Sequence, residues 1–202
     1  MNPDARNVQV SGESVRYYYY GGGGSRALLL LHGYNFNSLV WKDLAFLQCA
    51  VIKGFHVIAL DIPGFPNSVN RFHADEDQVS GIIDRIMSTE GVSSVTVMGA
   101  SAGGTIAMSY ARGSSRPVDS VILVGAVGLE EGGIRSFNFP LLGIWGSLDR
   151  ISPPDKARMQ FPASGASRFV VLEGAGHPCY LDRPVEFSDA ICSFLEEIVG
   201  RL

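Results

Sequence analysis

The chain has 202 residues, 46% hydrophobic and 18% charged, which suits one folded core and excludes a disordered segment. Its net charge of −4 argues against nucleic acid as a partner. The opening residues, MNPDARNVQV, lack the basic start and long apolar run of a signal peptide. The longest apolar runs, such as Ala27–Leu31 and Val121–Val124, are strand-sized, so no membrane association is expected.

Taken in chain order, Val15–Tyr20 reads as a strand, with its aromatic alternation assigned to packing, and Gly21–Ser25 as a turn. Ala27–Leu31 is a continuous apolar run, the pattern of a strand buried on both faces. Leu39, Leu44, Leu47 and Val51 predict a single helix over Ser38–Lys53, stopped by Gly54. His56–Leu60 reads as a strand, 61–71 as a loop and Asp77–Ser88 as a helix, with the acidic run Asp75–Asp77 favouring its start. Val95–Met98 and Ala102–Ala111 form the next strand–helix pair. Val121–Val124, Leu141–Trp145 and Phe169–Leu172 are further strands, Pro153–Gln160 is a helix, and Pro184–Val199 is the closing helix. Alternating strands and helices predict an α/β fold with a mostly parallel sheet covered on both faces. With no repeat or linker, one domain over residues 1–202 is expected. About 16 residues separate the strands at Val121 and Leu141, too few for an inserted lid domain.

Gly99-Ala100-Ser101-Ala102-Gly103 matches G-x-S-x-G between an apolar strand and a helical pattern. In that context the serine sits on a tight turn with its oxygen exposed, and small neighbours let strand and helix approach. Ser101 is therefore the candidate nucleophile. A serine needs a base and the base needs an orienting acid, in the chain order serine, acid, histidine. His177, in Gly174–Pro178, is the sole histidine after Ser101. Asp149 follows the strand at Leu141–Trp145 and lands at its C-terminal edge. Asp155 falls inside a helix, Asp119 precedes a strand, and Asp182 lies beyond His177, so Asp149 is the candidate acid. The backbone N–H groups of Ala102 and Tyr34 are the candidate oxyanion donors. His32 is read as loop-shaping and Asp61 as bracing its loop. Phe36, Phe65, Val127, Leu129 and Ile151, with Tyr34, are candidates for the substrate wall from position alone.

Cys49, Cys179 and Cys192 form no CxxC or zinc pattern, and the four histidines are dispersed. No metal and no cofactor is expected. The odd cysteine count suggests reduced thiols and a cytoplasmic chain, with Cys179 serving as a small buried apolar residue.

Leu28–Gly33, Asp61–Gly64, Gly99–Gly103, Gly146–Asp149 and Gly174–Pro178 together resemble the α/β-hydrolase superfamily over nearly the whole chain. GAGHPCYLDRP at Gly174–Pro184, the aromatic Trp41 and the short length are similar to the compact, lid-less α/β-hydrolase-domain-containing 14 proteins of animals. That resemblance implies the α/β-hydrolase fold and a monomeric esterase-type enzyme acting on short acyl esters. It also implies a second activity, transfer of an acetyl group from protein lysine to coenzyme A. The reading is a serine hydrolase of small carboxylic esters, a monomer or weak homodimer, working through Ser101, His177 and Asp149. The alternatives are acyl transfer to coenzyme A or another acceptor, and a silent binding protein on the same fold.

Overall fold

The apolar run at residues 27–31 forms the centre of the structure. In strand β3 (Arg26–Leu31), Leu28 and Leu30 enter one hydrophobic cluster while Leu29 and Leu31 enter another. All four are fully buried, which contributes about 1.5–3 kcal/mol each. β4 (Phe55–Leu60) and β6 (Val118–Val124) alternate in the same way, with Ile58, Leu60, Val121 and Leu123 on one face and Val57, Ala59, Ile122 and Val124 on the other. A strand with two apolar faces needs cover on both sides, and the intervening helices supply it.

The computed structural model describes residues 1–129, 134, 137–162 and 167–201. β1 (Asp4–Val10) and β2 (Glu13–Gly21) form an antiparallel hairpin, and β2 pairs antiparallel with β4. The remaining strands run parallel: β3, β4, β5 (Ser94–Ala100), β6, β7 (Leu141–Gly146) and β8 (Ser167–Leu172). The sheet order is β1-β2-β4-β3-β5-β6-β7-β8. After β3 the chain steps first to one side, to β4, and then to the other, to β5. That reversal opens a crevice at the carboxyl ends of β3 and β5.

α2 (Glu76–Thr89) and α3 (Ala102–Gly113) pack on the face that holds Leu29, and α1 (Phe46–Ile52) and α6 (Pro184–Arg201) on the other. α4 (Pro154–Gln160) and the short α5 (Cys179–Asp182) follow β7 and β8. Asp75 starts α2 with a reciprocal capping box: its carboxylate accepts from the Gln78 N–H at 2.8 Å, and the Gln78 side chain accepts from the Asp75 N–H at 2.9 Å. β6 and β7 are joined by residues 125–140 alone, so the fold has no inserted lid domain.

Two expectations are corrected and one strand is added. The helix predicted over Ser38–Lys53 is two pieces, a 3-10 turn at Ser38–Trp41 and then α1. Successive i→i+3 bonds, Val40 to Asn37, Lys42 to Leu39 and Leu44 to Trp41, replace the α pattern. Tertiary anchors impose this: the Ser38 N–H donates to Asp61, and the Trp41 ring is fully buried against Phe46 and Tyr180. The edge strand β1 was not anticipated, because Val8 is its sole fully enclosed side chain and gives no periodic signal. Finally, the cysteines are not all reduced. Cys49 of α1 is paired with Cys192 of α6 in a disulfide, Cα to Cα 6.1 Å, which removes the argument from reduced thiols to a cytoplasmic chain. Among the described residues, no helix is long and apolar enough to cross a membrane.

Candidate active site

The G-x-S-x-G turn joins β5 to α3, and its glycines are demanded by space. A Cβ on Gly99 would collide with the backbone of Gly103 and Gly104, and one on Gly103 would lie 2.6 Å from the Leu31 carbonyl oxygen. Ser101 sits between them at φ 51°, ψ −120°, a conformation that side-chain-bearing residues rarely adopt. Its backbone is held on both sides: its N–H donates to the Val124 carbonyl at 2.9 Å, and its carbonyl accepts from Gly104 at 2.9 Å. The turn leaves the hydroxyl partly exposed at the first residue before α3.

His177 Nε2 lies 2.9 Å from Ser101 Oγ, and His177 Nδ1 lies 2.8 Å from Asp149 Oδ2. The three side chains come from the ends of β5, β7 and β8, brought to one edge by the parallel sheet. Asp149 is 4% exposed and its second oxygen accepts from the N–H groups of Ile151 and Ser152, both at 2.9 Å. With its lone pairs so occupied, the carboxylate cannot rotate away from the ring. A carboxylate oxygen opposite Nδ1 selects the tautomer with its proton there, which leaves Nε2 as an acceptor facing the serine hydroxyl. The histidine loop is itself braced. Asp182 accepts from the Gly176 N–H at 2.7 Å, and Arg183 Nε donates to the Glu173 carbonyl at 2.9 Å. Asp182, discounted as the acid by chain order, thus holds the loop that carries His177. Gly125, at φ +50°, lies beneath the pair, where a Cβ would approach Asp149 Oδ2 and the His177 carbonyl to 3.2 Å.

Opposite Ser101 lies the loop after β3. His32 is fully buried there, with Nδ1 2.9 Å from the Gly33 carbonyl and Nε2 accepting from the Ile62 N–H at 2.9 Å. It shapes the loop and does not reach the serine. Asp61 accepts from the N–H groups of Ser38 at 3.2 Å and Val69 at 2.9 Å. Burial pushes its carboxyl up, but the hydrogen bonds it accepts from the Val69 and Ser38 N–H groups outweigh burial and hold it below the usual carboxylate range. Asn70 ties the same loop to β2, donating to the carbonyls of Arg16 and Asp61. Among the described residues, neither the Tyr34 N–H nor the Ala102 N–H meets a protein acceptor.

A cavity of about 210 Å³ opens over Ser101 and His177, lined by Gly33, Tyr34, Phe36, Ile151, Pro178 and Tyr180 among others. The candidate wall residues are divided by the structure. Tyr34, Phe36 and Ile151 line this cavity. Val127 and Leu129 line a neighbouring one of about 340 Å³ that shares Ile151. Phe65 faces a third hollow and is not on the Ser101 cavity; its ring instead packs edge-on against Tyr34 at 5.1 Å and His32 at 5.5 Å. Val124, Pro178 and Tyr180 were missed, since they follow from which strand ends meet and carry no local motif. Cys179 is fully buried behind the histidine, and burial together with Asp149 pushes its thiol up to about 12, so it is no reactive thiolate. Among the described residues, no cluster of His, Cys, Asp and Glu is placed to hold a metal ion.

Comparison with known proteins agrees with this architecture. The chain is 29% identical to ABHD14A of Danio rerio over 177 residues, covering 85% of this chain and 64% of that one. It therefore spans less than two thirds of the length of that relative. It is 26% identical to ABHD14B of Rattus norvegicus, named as a candidate protein-lysine deacylase, over 93% of this chain and 87% of the relative. Among solved structures, a CIB-like hydrolase from Thermoplasma acidophilum superposes with a TM-score of 0.84 at 27% identity, covering 98% of this chain and 99% of that one. The model of the alpha/beta hydrolase fold family matches residues 26–137, from β3 through the Ser101 turn and beyond β6. A match over more than half of the sequence, on a sheet of this order, means that the chain belongs to the α/β-hydrolase fold family.

Proposed function

We propose that this chain, as one catalytic domain, is a serine hydrolase that cleaves small carboxylic esters through an acyl-enzyme. The observation that carries the reading is the continuous relay from Ser101 Oγ to His177 Nε2 at 2.9 Å and from His177 Nδ1 to Asp149 at 2.8 Å. Ser101 Oγ attacks the ester carbonyl while His177 Nε2 takes its proton, and Asp149 stabilises the imidazolium that forms. The N–H groups of Tyr34 and of Ala102, the first residue of α3, meet no acceptor among the described residues and receive the oxyanion. The alcohol leaves with the proton from His177. Water, deprotonated by the same histidine, then releases the acid and restores Ser101.

The cavity of about 210 Å³ supports a small acyl group, and the absence of a lid domain supports an alcohol portion that projects into solvent. A fluorophosphonate probe should label the wild type and not Ser101→Ala, and 4-nitrophenyl acetate turnover should vanish in that variant while its circular dichroism is retained. Equal turnover in both would refute the assignment, and failure of the probe would favour a non-catalytic binding protein.

The likeness to ABHD14B favours a second reading, transfer of an acyl group from lysine to coenzyme A or another acceptor. Release of acetyl-coenzyme A from an acetylated peptide would select it; ester hydrolysis unaffected by the thiol would select simple hydrolysis.

A further inference from the structure

Tyr180 lies three residues past His177 and lines the Ser101 cavity. It is 2% exposed. Three rings from separate parts of the chain hold it: Trp41 at 4.9 Å, Phe187 at 5.8 Å and Phe36 at 6.1 Å between centroids. The phenol is therefore fixed in direction before any ligand arrives.

Its hydroxyl makes no hydrogen bond with the described residues. The sealed, unpaired side-chain polar atoms among those residues belong to Tyr20, Arg26, Ser38, Trp41 and Arg116. The Tyr180 hydroxyl is equally unpaired among the described residues but is not one of these sealed atoms. For a side chain that is otherwise enclosed, the open space it meets is the cavity that it lines.

Among the described residues the rest of the wall is largely apolar, with Phe36, Val124, Ile151 and Pro178, and none of its lining residues is a lysine or arginine. A plain alkanoyl chain filling this space would strip water from the hydroxyl and leave it unpaired, which costs binding. A chain carrying an oxygen acceptor would restore the bond. Burial also holds the phenol far above its ordinary value, so it acts as a neutral donor. With no lysine or arginine among the described lining residues to pair with it, a carboxylate fits less well here than a neutral acceptor.

We propose that Tyr180 is a specificity-determining residue that donates a hydrogen bond to a neutral oxygen on the acyl chain, which makes oxo- or alkoxy-acyl esters the preferred class over plain alkanoyl esters. The inference rests on the ester-hydrolase reading of Ser101. It deepens that reading by naming what the acyl group carries.

The test compares kcat/KM for matched 4-nitrophenyl esters: butanoate with 3-oxobutanoate, and pentanoate with 4-oxopentanoate. Each pair is measured on the wild type and on Tyr180→Phe, which keeps the packed ring and removes one oxygen. Dividing the two oxo-to-alkanoyl ratios cancels the intrinsic reactivity of the esters. The ratio should fall about fivefold to tenfold in the variant for at least one chain length. Unchanged ratios in both pairs would overturn the proposal. If the wild type hydrolyses none of the esters, the hydrolase reading fails separately. The contact is then read by titrating methyl 4-oxopentanoate and methyl pentanoate into Ser101→Ala, with and without Tyr180→Phe. Tighter binding of the oxo ester that depends on Tyr180 supports the contact, and equal affinities refute it.

Discussion

Replacing Ser101 by glycine should leave the protein more stable than replacing it by alanine. Both variants lose the hydroxyl and its contact with His177 Nε2 at 2.9 Å, so that term cancels between them. They differ in the backbone. Ser101 sits at φ 51°, ψ −120°, which alanine must keep at a cost of about 1–3 kcal/mol and glycine adopts freely. Glycine has the more disordered unfolded chain, worth about 0.5–1 kcal/mol in the other direction. Taken at the middle of each range, the net advantage of glycine is about 1 kcal/mol, or roughly 2–4 °C in Tm for a chain of this size. Thermal unfolding followed by far-ultraviolet circular dichroism, with urea midpoints at fixed pH, measures it. A glycine variant no more stable than the alanine variant would refute the claim that the turn is strained at Ser101.

Asp149→Asn should keep the fold, because the amide oxygen can still accept from Ile151 and Ser152, yet its NH₂ would face His177 Nδ1 and favour the wrong tautomer. Ester kcat should fall by about 10³–10⁴-fold with little change in Tm, measured by turnover and melting together. Gly125→Ala should cost about 1–2 kcal/mol from its φ of +50° and press a methyl group on Asp149 and His177, so urea midpoint and kcat should drop together. The Asp61 carboxyl is held below its ordinary range, so its stabilising contribution is complete above about pH 3.9 and is lost as pH falls through the lower folded value. Urea midpoints between about pH 5 and pH 3 should therefore fall more steeply in the wild type than in Asp61→Asn, and parallel curves would contradict it.

Much of the fold is visible in one dimension because buried parallel strands have a strong local signature. Ala27–Leu31 and Val121–Val124 are continuous apolar runs, since both faces of each strand are covered. The edge strand β1 lacks that signature, and the turn at Ser38–Trp41 carries a misleading helical one, because what holds Ser38 is a carboxylate 23 residues away. The Cys49–Cys192 pair joins two helices 143 residues apart, and no spacing rule reaches across that separation.

By itself the sequence determined the identities on which the Ser101 site is built. A serine between glycines at a strand-to-helix turn, an aspartate after the next-but-one strand, and one downstream histidine are local facts and facts of order. Tertiary structure alone decided how these residues stand to one another and what surrounds them. The distances of 2.9 Å and 2.8 Å depend on neighbouring strands ending at one edge of the sheet. The bracing of the histidine loop by Asp182, the removal of Phe65 from the cavity and the place of Tyr180 on its wall have the same origin. Each is a contact between segments that the chain separates and the sheet brings together, so none leaves a trace in local sequence.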